Sequence, residues 1–159
     1  MQRYQQIICD KQYQNMIEKI SDYEKDREFC CHTLEHFCDV ARIMYILALE
    51  EGNSLDQDII YATALLHDIG RVWEYEKGIP HEQASVEIAK KLLLNYGYED
   101  NEIRIIITAI GAHRKEEKEK NELADYLYRA DKLSRNCFAC KAKDRCKWSE
   151  EKKNVTLIL

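Results

Sequence analysis

His67 and Asp68 stand side by side, and His36, His81, His113 and Asp131 are spread over the rest of the chain. Imidazole and carboxylate together suit divalent Mn, Fe, Co, Ni or Zn, whereas an all-carboxylate set would favour Mg or Ca. Six such residues exceed what one catalytic ion with an open position needs. They suit two ions roughly 3.5–4 Å apart that share a carboxylate. Such a pair polarises a phosphoryl oxygen, lowers the pKa of a water and neutralises charge developing on phosphorus. The chemistry implied is metal-dependent hydrolysis.

Those six residues must be positioned by helices. Apolar side chains at Ile7, Ile8, Met16, Ile17 and Ile20 among polar ones predict an outer amphipathic helix over 2–25. A second runs from about Thr33 to Leu49, and Gly52-Asn53-Ser54 breaks it. Ser54 offers an N-cap to a third, Leu55 to Ile69, ending at Gly70. Residues 71–80 read as a loop before a fourth helix from about His81 to Tyr96. Gly97 stops it, Asp100 can cap a fifth reaching about His113, and a sixth covers about Glu122 to Leu133. The charge run Arg114 to Lys120 reads as a solvated connection, and 134–148 as a cysteine-bearing loop before a short tail. The expectation is an all-α bundle of about six helices in one domain over 1–159.

Phase supports the site. His36 precedes Val40, Ile43 and Leu47 by 4, 7 and 11 residues, and Asp131 lies in phase with Leu123 and Leu127. His113 follows Ile103, Ile106 and Ile110; His67 follows Ile60 and Thr63; His81 leads Ser85, Ile88 and Leu92. Each candidate ligand therefore falls on a buried helix face. One histidine there is most often a hydrogen-bonded core residue. Four histidines and two aspartates all need partners at once, because burying a carboxylate is costly unless it is paired or metal-bound. A shared cation supplies them.

At this point the chain resembles a known family. His36, His67-Asp68 and Asp131 are similar to the H…HD…D signature of the HD-domain metal-dependent phosphohydrolases. The flanks His36-Phe37-Cys38-Asp39-Val40, Ala64-Leu65-Leu66-His67-Asp68-Ile69-Gly70 and Arg129-Ala130-Asp131-Lys132-Leu133-Ser134-Arg135 resemble its three motifs, over about residues 30–135. The resemblance implies an α-helical bundle that hydrolyses phosphomonoesters or phosphodiesters, commonly of nucleotides. It implies that His36, His67, Asp68 and Asp131 hold a first metal, with Asp68 the bridge and His67 and Asp68 at the centre of catalysis. His81 and Ala109-Ile110-Gly111-Ala112-His113 resemble the two extra histidines of two-metal members. Many members carry Lys after the HDIG string; here it is Arg71, which suits phosphate contact more than proton donation. Arg71 and Arg135 directly follow motif residues and read as substrate-binding, as does His32 at the mouth of the pocket. Arg114 reads as a surface charge.

Composition narrows the alternatives. The chain has 159 residues, one proline, five glycines and a net charge of −5. That acidity argues against a general nucleic-acid binder, so any nucleotide bound here is expected to be small and held through metal. Together with the resemblance it makes a small phosphorylated metabolite or nucleotide the expected substrate. No apolar stretch approaches a membrane span and the polar N-terminus lacks a signal-peptide core, so the expected compartment is the cytoplasm. A homo-oligomer is compatible with everything above.

Two rival readings remain. His32-Thr33-Leu34-Glu35-His36 spells the H-x-x-E-H pattern of an inverted zinc peptidase, with Glu35 as base. That reading leaves His67, Asp68 and Asp131 without work. Separately, Cys137-x2-Cys140-x5-Cys146 could hold structural zinc with a fourth ligand from Cys30 or Cys31, or remain a set of reduced thiols. A zinc knuckle gripping nucleic acid through Lys141, Lys143, Arg145 and Lys147 would make the protein a binding module.

Overall fold

The computed structural model describes residues 1–112 and 121–159, and among these it contains eight α-helices and no strand. They are α1 (Arg3–Ile8), α2 (Lys11–Glu24), α3 (Leu34–Glu50), α4 (Gln57–Leu66), α5 (Arg71–Lys77), α6 (His81–Asn95), α7 (Asp100–Ala112) and α8 (Glu122–Leu133). Three single 3₁₀ turns follow, at Cys137–Ala139, Lys143–Arg145 and Glu150–Lys152. His113 and the charge run Arg114 to Lys120 lie outside the described residues.

The helical class agrees with the periodicity, and the count differs for local reasons. The expected helix over 2–25 breaks at Cys9 and Asp10, because the Asp10 carboxylate accepts from Tyr13 N and starts a new helix. The expected loop over 71–80 is largely α5. It is seven residues long with only Val72 buried, too short to show periodicity, and it ends where Gly78 takes a left-handed φ of +69°. The third helix is shorter than expected: Asp56, not Ser54, caps it, and it stops at Leu66, leaving His67 to Gly70 as a turn.

Helix α4 is the centre of the bundle. Asp58, Ile59, Ile60, Ala62, Thr63, Ala64, Leu65 and Leu66 are all buried, the pattern of a helix covered on every side. It packs on α3, α1 and α7, while α3 also lies along α8 and α6 pairs with α7 and α5. Each fully buried Ile or Leu such as Ile60 or Leu66 stabilises by roughly 1.5–3 kcal/mol. Arg3 ties α1 to α4 and α7 through Asp58 (2.6 Å) and Glu102 (2.6 Å). Tyr13 Oη donates to the Leu65 carbonyl at 2.9 Å, so α2 supplies a partner to the orphan end of α4.

This packing places helix ends together. The start of α3 meets the end of α4, with the His36 and His67 rings 5.7 Å apart. The end of α3 meets the start of α8, where Asn53 bonds Glu122 and Glu51 bonds Tyr126. The two antiparallel pairings thus bring His36, the residues after α4 and the last turn of α8 to one end of the bundle. The first residue of α6, His81, arrives there too, against Asp68. Among the described residues no helix is long and apolar enough to cross a membrane.

Candidate metal centre

Asp68 is the hub of this end. Its Oδ2 stands 3.2 Å from His32 Nε2, 3.6 Å from His67 Nε2 and 3.1 Å from Arg71 Nε. Its Oδ1 stands 3.3 Å from His81 Nε2. Asp131 Oδ1 lies 3.3 Å from His36 Nε2 and 3.9 Å from His67 Nε2. Two sets of donors lie within 4.8 Å of one another: His32, His36 and Asp68, and His36, His67 and Asp131.

The tautomers follow from the partners on the far side of each ring. His67 Nδ1 lies 2.7 Å from the Ala64 carbonyl and His32 Nδ1 2.7 Å from Glu24 Oε1; both oxygens only accept, so both nitrogens carry hydrogen. His81 Nδ1 donates to the Glu74 carboxylate at 3.1 Å. Ser134 spends its hydroxyl hydrogen on the Asp131 carbonyl at 2.7 Å, so its oxygen accepts from His36 Nδ1 at 3.1 Å. The Arg135 guanidinium, which can only donate, reaches His36 Nε2 at 3.1 Å and confirms that tautomer. In the neutral form of the rings the Nε2 lone pairs of His32, His67 and His81 face Asp68 oxygens, while that of His36 accepts from Arg135 beside Asp131. Electron density facing electron density is what a cation among these atoms resolves, and outward Nδ1 donors are how proteins orient metal-binding histidines.

Titration agrees with neutral rings. Burial pushes His32 and His36 below the ordinary imidazole value, against the pull of Glu24 and Asp131. Burial would raise Asp131, but the Arg135 guanidinium 3.5 Å away holds it below the usual carboxylate range. Burial would likewise raise Glu24, and the bonds from His32 and Tyr75 bring it instead to about 2. Tyr75 Oη donates to Glu24 Oε1 at 2.6 Å, completing a line from Tyr75 through Glu24 and His32 to Asp68.

Of the residues expected from sequence, His36, His67, Asp68, His81 and Asp131 are gathered at one place; His113 lies outside the described residues. His32 is buried to 3% exposure and faces Asp68, deeper than the pocket mouth where the sequence puts it. Arg71 and Arg135 line a cavity of about 450 Å³ together with His32, Asp68, His81 and Asp131. Glu35 is exposed at the start of α3, so nothing places the peptidase base at this centre. Sequence reasoning passed over Glu24, Glu74 and Ser134, which set the ring orientations. Ser134 lies within the Arg129-to-Arg135 string and Glu74 seven residues before His81, but Glu24 carries no local signal.

Comparison with known proteins places these observations. The HD domain family model matches residues 33–136. The chain is 48% identical over 157 residues to an uncharacterized protein of Clostridium beijerinckii, with 99% of each chain covered. It is 34% identical over 103 residues to Ribonuclease Y of Mycoplasma mycoides, covering 65% of this chain and 18% of that protein. The Ribonuclease Y of Oleidesulfovibrio alaskensis is 32% identical over 119 residues, covering 75% of this chain and 21% of its own. The chain thus spans about a fifth of the length of these ribonucleases. The crystal structure of a predicted HD superfamily hydrolase from an uncultured Thermotogales bacterium shares the fold, with a TM-score of 0.66 and 23% identity over 89% of this chain and 79% of that one.

Proposed function

Since the chain belongs to the HD-domain family, we propose that it is a metal-dependent phosphohydrolase acting on a small phosphoester, a nucleotide above all. The observation that carries this reading is the convergence of the Nε2 atoms of His32, His36, His67 and His81 on Asp68 and Asp131 at the wall of a cationic cavity. His36, His67, Asp68 and Asp131 would hold one divalent ion. His81, with His113 from the sequence, would hold a second that shares Asp68. When bound, such ions supply Lewis acidity toward a phosphoryl oxygen and lower the pKa of a water.

The chain's own residues do the rest. Arg71 and Arg135 border the same cavity as Asp68 and Asp131, where a phosphoryl group would be gripped by planar, bidentate donors. Arg27, Lys132 and Lys147 extend that positive lining and suit a substrate with more than one anionic group. Phe29 and Trp148 border the same space and offer faces on which a base can stack. His32, held by Glu24 and Tyr75, is positioned to move a proton at its Nε2 beside Asp68. Metal identity within Mn, Fe, Co, Ni and Zn follows from the mixed imidazole and carboxylate donors.

The test is metal analysis of the purified protein together with a panel of nucleoside mono-, di- and triphosphates, dinucleotides, simple aryl phosphates and short RNA. The expected outcome is divalent-dependent hydrolysis of a small phosphoester that is lost in Asp68→Asn. Protein that takes up no divalent ion and turns over none of the panel overturns the reading. A strong preference for RNA over every small phosphoester, in the manner of the ribonuclease relatives' name, overturns the substrate class.

A further inference from the structure

The segment 136–148 follows α8 and has almost no core of its own. Only Cys137 and Ala142 in it are buried, and its regular structure is two 3₁₀ turns, Cys137–Ala139 and Lys143–Arg145. Single turns of this kind do not persist unaided, since each fixes several dihedrals for one hydrogen bond. The segment is tied down from two sides. Phe138 N–H donates to the Asn154 carbonyl at 2.9 Å. Arg145 Nε donates to Glu28 Oε1 at 2.6 Å, and Arg135 donates to the Cys31 carbonyl at 2.9 Å, which draws the loop before α3 against it.

Cysteines meet where those ties cross. Cys30 shares a cleft of about 270 Å³ with Cys137 and Cys140, and it shares the main cavity with Cys146. Cys30 is also the one non-glycine among the described residues with a left-handed backbone, φ +34°. That conformation is unfavourable for a side chain and persists where the surroundings demand a particular direction of it. Cys31, its neighbour, is turned the other way, its Sγ toward the Glu24 and Arg27 carbonyls at 3.8 and 3.7 Å. Cys137 is buried and Cys146 half-buried, while Cys30 and Cys140 are exposed at the rim of these clefts. Crowded thiols of this kind are what a soft-ligand dication stabilises as thiolates.

We propose that Cys30, Cys137, Cys140 and Cys146 bind one structural zinc ion, apart from the histidine–aspartate centre. The Cys137-x2-Cys140 spacing is that of a knuckle's paired ligands, and four thiolates complete a closed tetrahedral site. The four sulfurs are neighbours more than a finished cage, for the described donor sets already within 4.8 Å of one another are the histidine–aspartate ones. Zinc binding and closure of the 136–148 segment are therefore one event. Its consequence for the cavity is direct, because Lys147 and Trp148 sit on its wall immediately after Cys146. The inference does not rest on the reaction proposed above, since it concerns the thiols alone.

The experiment is zinc K-edge absorption on zinc-supplied Asp68→Asn protein, with thiol titration of the wild type. One zinc per chain with a sulfur shell at about 2.3 Å is expected to remain when the histidine–aspartate centre is impaired. In zinc-loaded wild type Cys9, Cys31 and Cys38 should react with a thiol reagent and four thiols should be protected until a chelator is added. Cys140→Ser and Cys30→Ser should lose this zinc, and Cys31→Ser should keep it. Fast reaction of all seven thiols in native wild type with no sulfur-bound zinc overturns the proposal, whatever the variants do. A disulfide among the four, iron in their place, or full zinc retention in Cys30→Ser overturns it as well.

Discussion

At Asp68 a carboxylate with 3% exposure faces three imidazoles and a guanidinium. Asp68→Asn keeps the shape and removes the charge, so it should abolish tight divalent binding and hydrolysis while circular dichroism stays helical. Retained metal and turnover would remove Asp68 from the centre. Glu24 acts at one remove, through the bond to His32 Nδ1. Losing such an outer partner typically costs about 10–100-fold in metal affinity or activity. Glu24→Gln is expected to lower turnover in that range, with Tyr75→Phe milder, both measured as steady-state rates at saturating metal. Unchanged turnover in Glu24→Gln would make the Glu24–His32 pair purely structural.

The same residues set a pH dependence. Burial holds His32 and His36 below their ordinary value of 6.5, so below that pH the unfolded chain binds protons that the folded chain refuses. Metal-free protein should therefore lose stability as pH falls below about 6.5 and regain it fully above. Glu24, brought down to about 2 from an ordinary 4.5, adds a second loss as pH falls from 4.5 toward 2. Denaturant midpoints of chelator-treated protein from about pH 2 to 8 would check this, and a midpoint that rises on acidification contradicts it. Protons also compete for the Nε2 lone pairs, so metal affinity should weaken over the upper part of the same window.

At the scale of elements, the turn after α4 depends on how closely α5 can approach α6. A Cβ built on Gly70 would lie 2.2 Å from Ser85 N and 2.3 Å from the His81 carbonyl, both backbone atoms that cannot swing aside. Gly70 N–H also donates to Ser85 Oγ at 2.9 Å, which locks the contact. Gly70→Ala must push α6 away and move His81 from Asp68. A destabilisation of about 1–3 kcal/mol or more is expected from forced overpacking, read as a lower denaturant midpoint, together with weaker metal binding. A wild-type midpoint in this variant would show that the two helices do not touch there. The glycine of the Leu65-to-Gly70 string is thus explained by backbone contact; its φ of −67° is ordinary.

For the whole molecule the question is how many ions the bundle end holds. If His81 serves a second ion, His81→Ala should cut the bound divalent count at this centre from two to one and lower turnover sharply. A wild-type protein that never binds more than one equivalent at the centre under saturating Mn or Fe would reduce His81 to a substrate contact. Glu35→Gln separates the peptidase alternative, because Glu35 is exposed at the start of α3 and borders the Cys30 cleft, not the cavity lined by Asp68 and Asp131. Its activity should stay close to wild type, and a severe loss with full metal retention would return Glu35 to the role of base.

What the sequence determined by itself is whatever local information carries. Helix class is written in the 3.6-residue recurrence of Val40, Ile43 and Leu47 or Leu123 and Leu127, all buried as that recurrence demands. The donor residues were legible because His36, His67, Asp68, His81 and Asp131 are chemically distinctive and stand at helix ends in phase with those stripes. Tertiary structure decided what depends on distant pairs. Glu24 orients His32 only because the loop after α2 folds back, and Ser134 sets the His36 tautomer across 98 residues. The choice of Cys30 over Cys31 beside the distant cysteine loop has the same origin, for it hangs on one left-handed residue that no spacing announces. Periodicity reports which face of a helix is covered; it is silent on which atom of another element covers it.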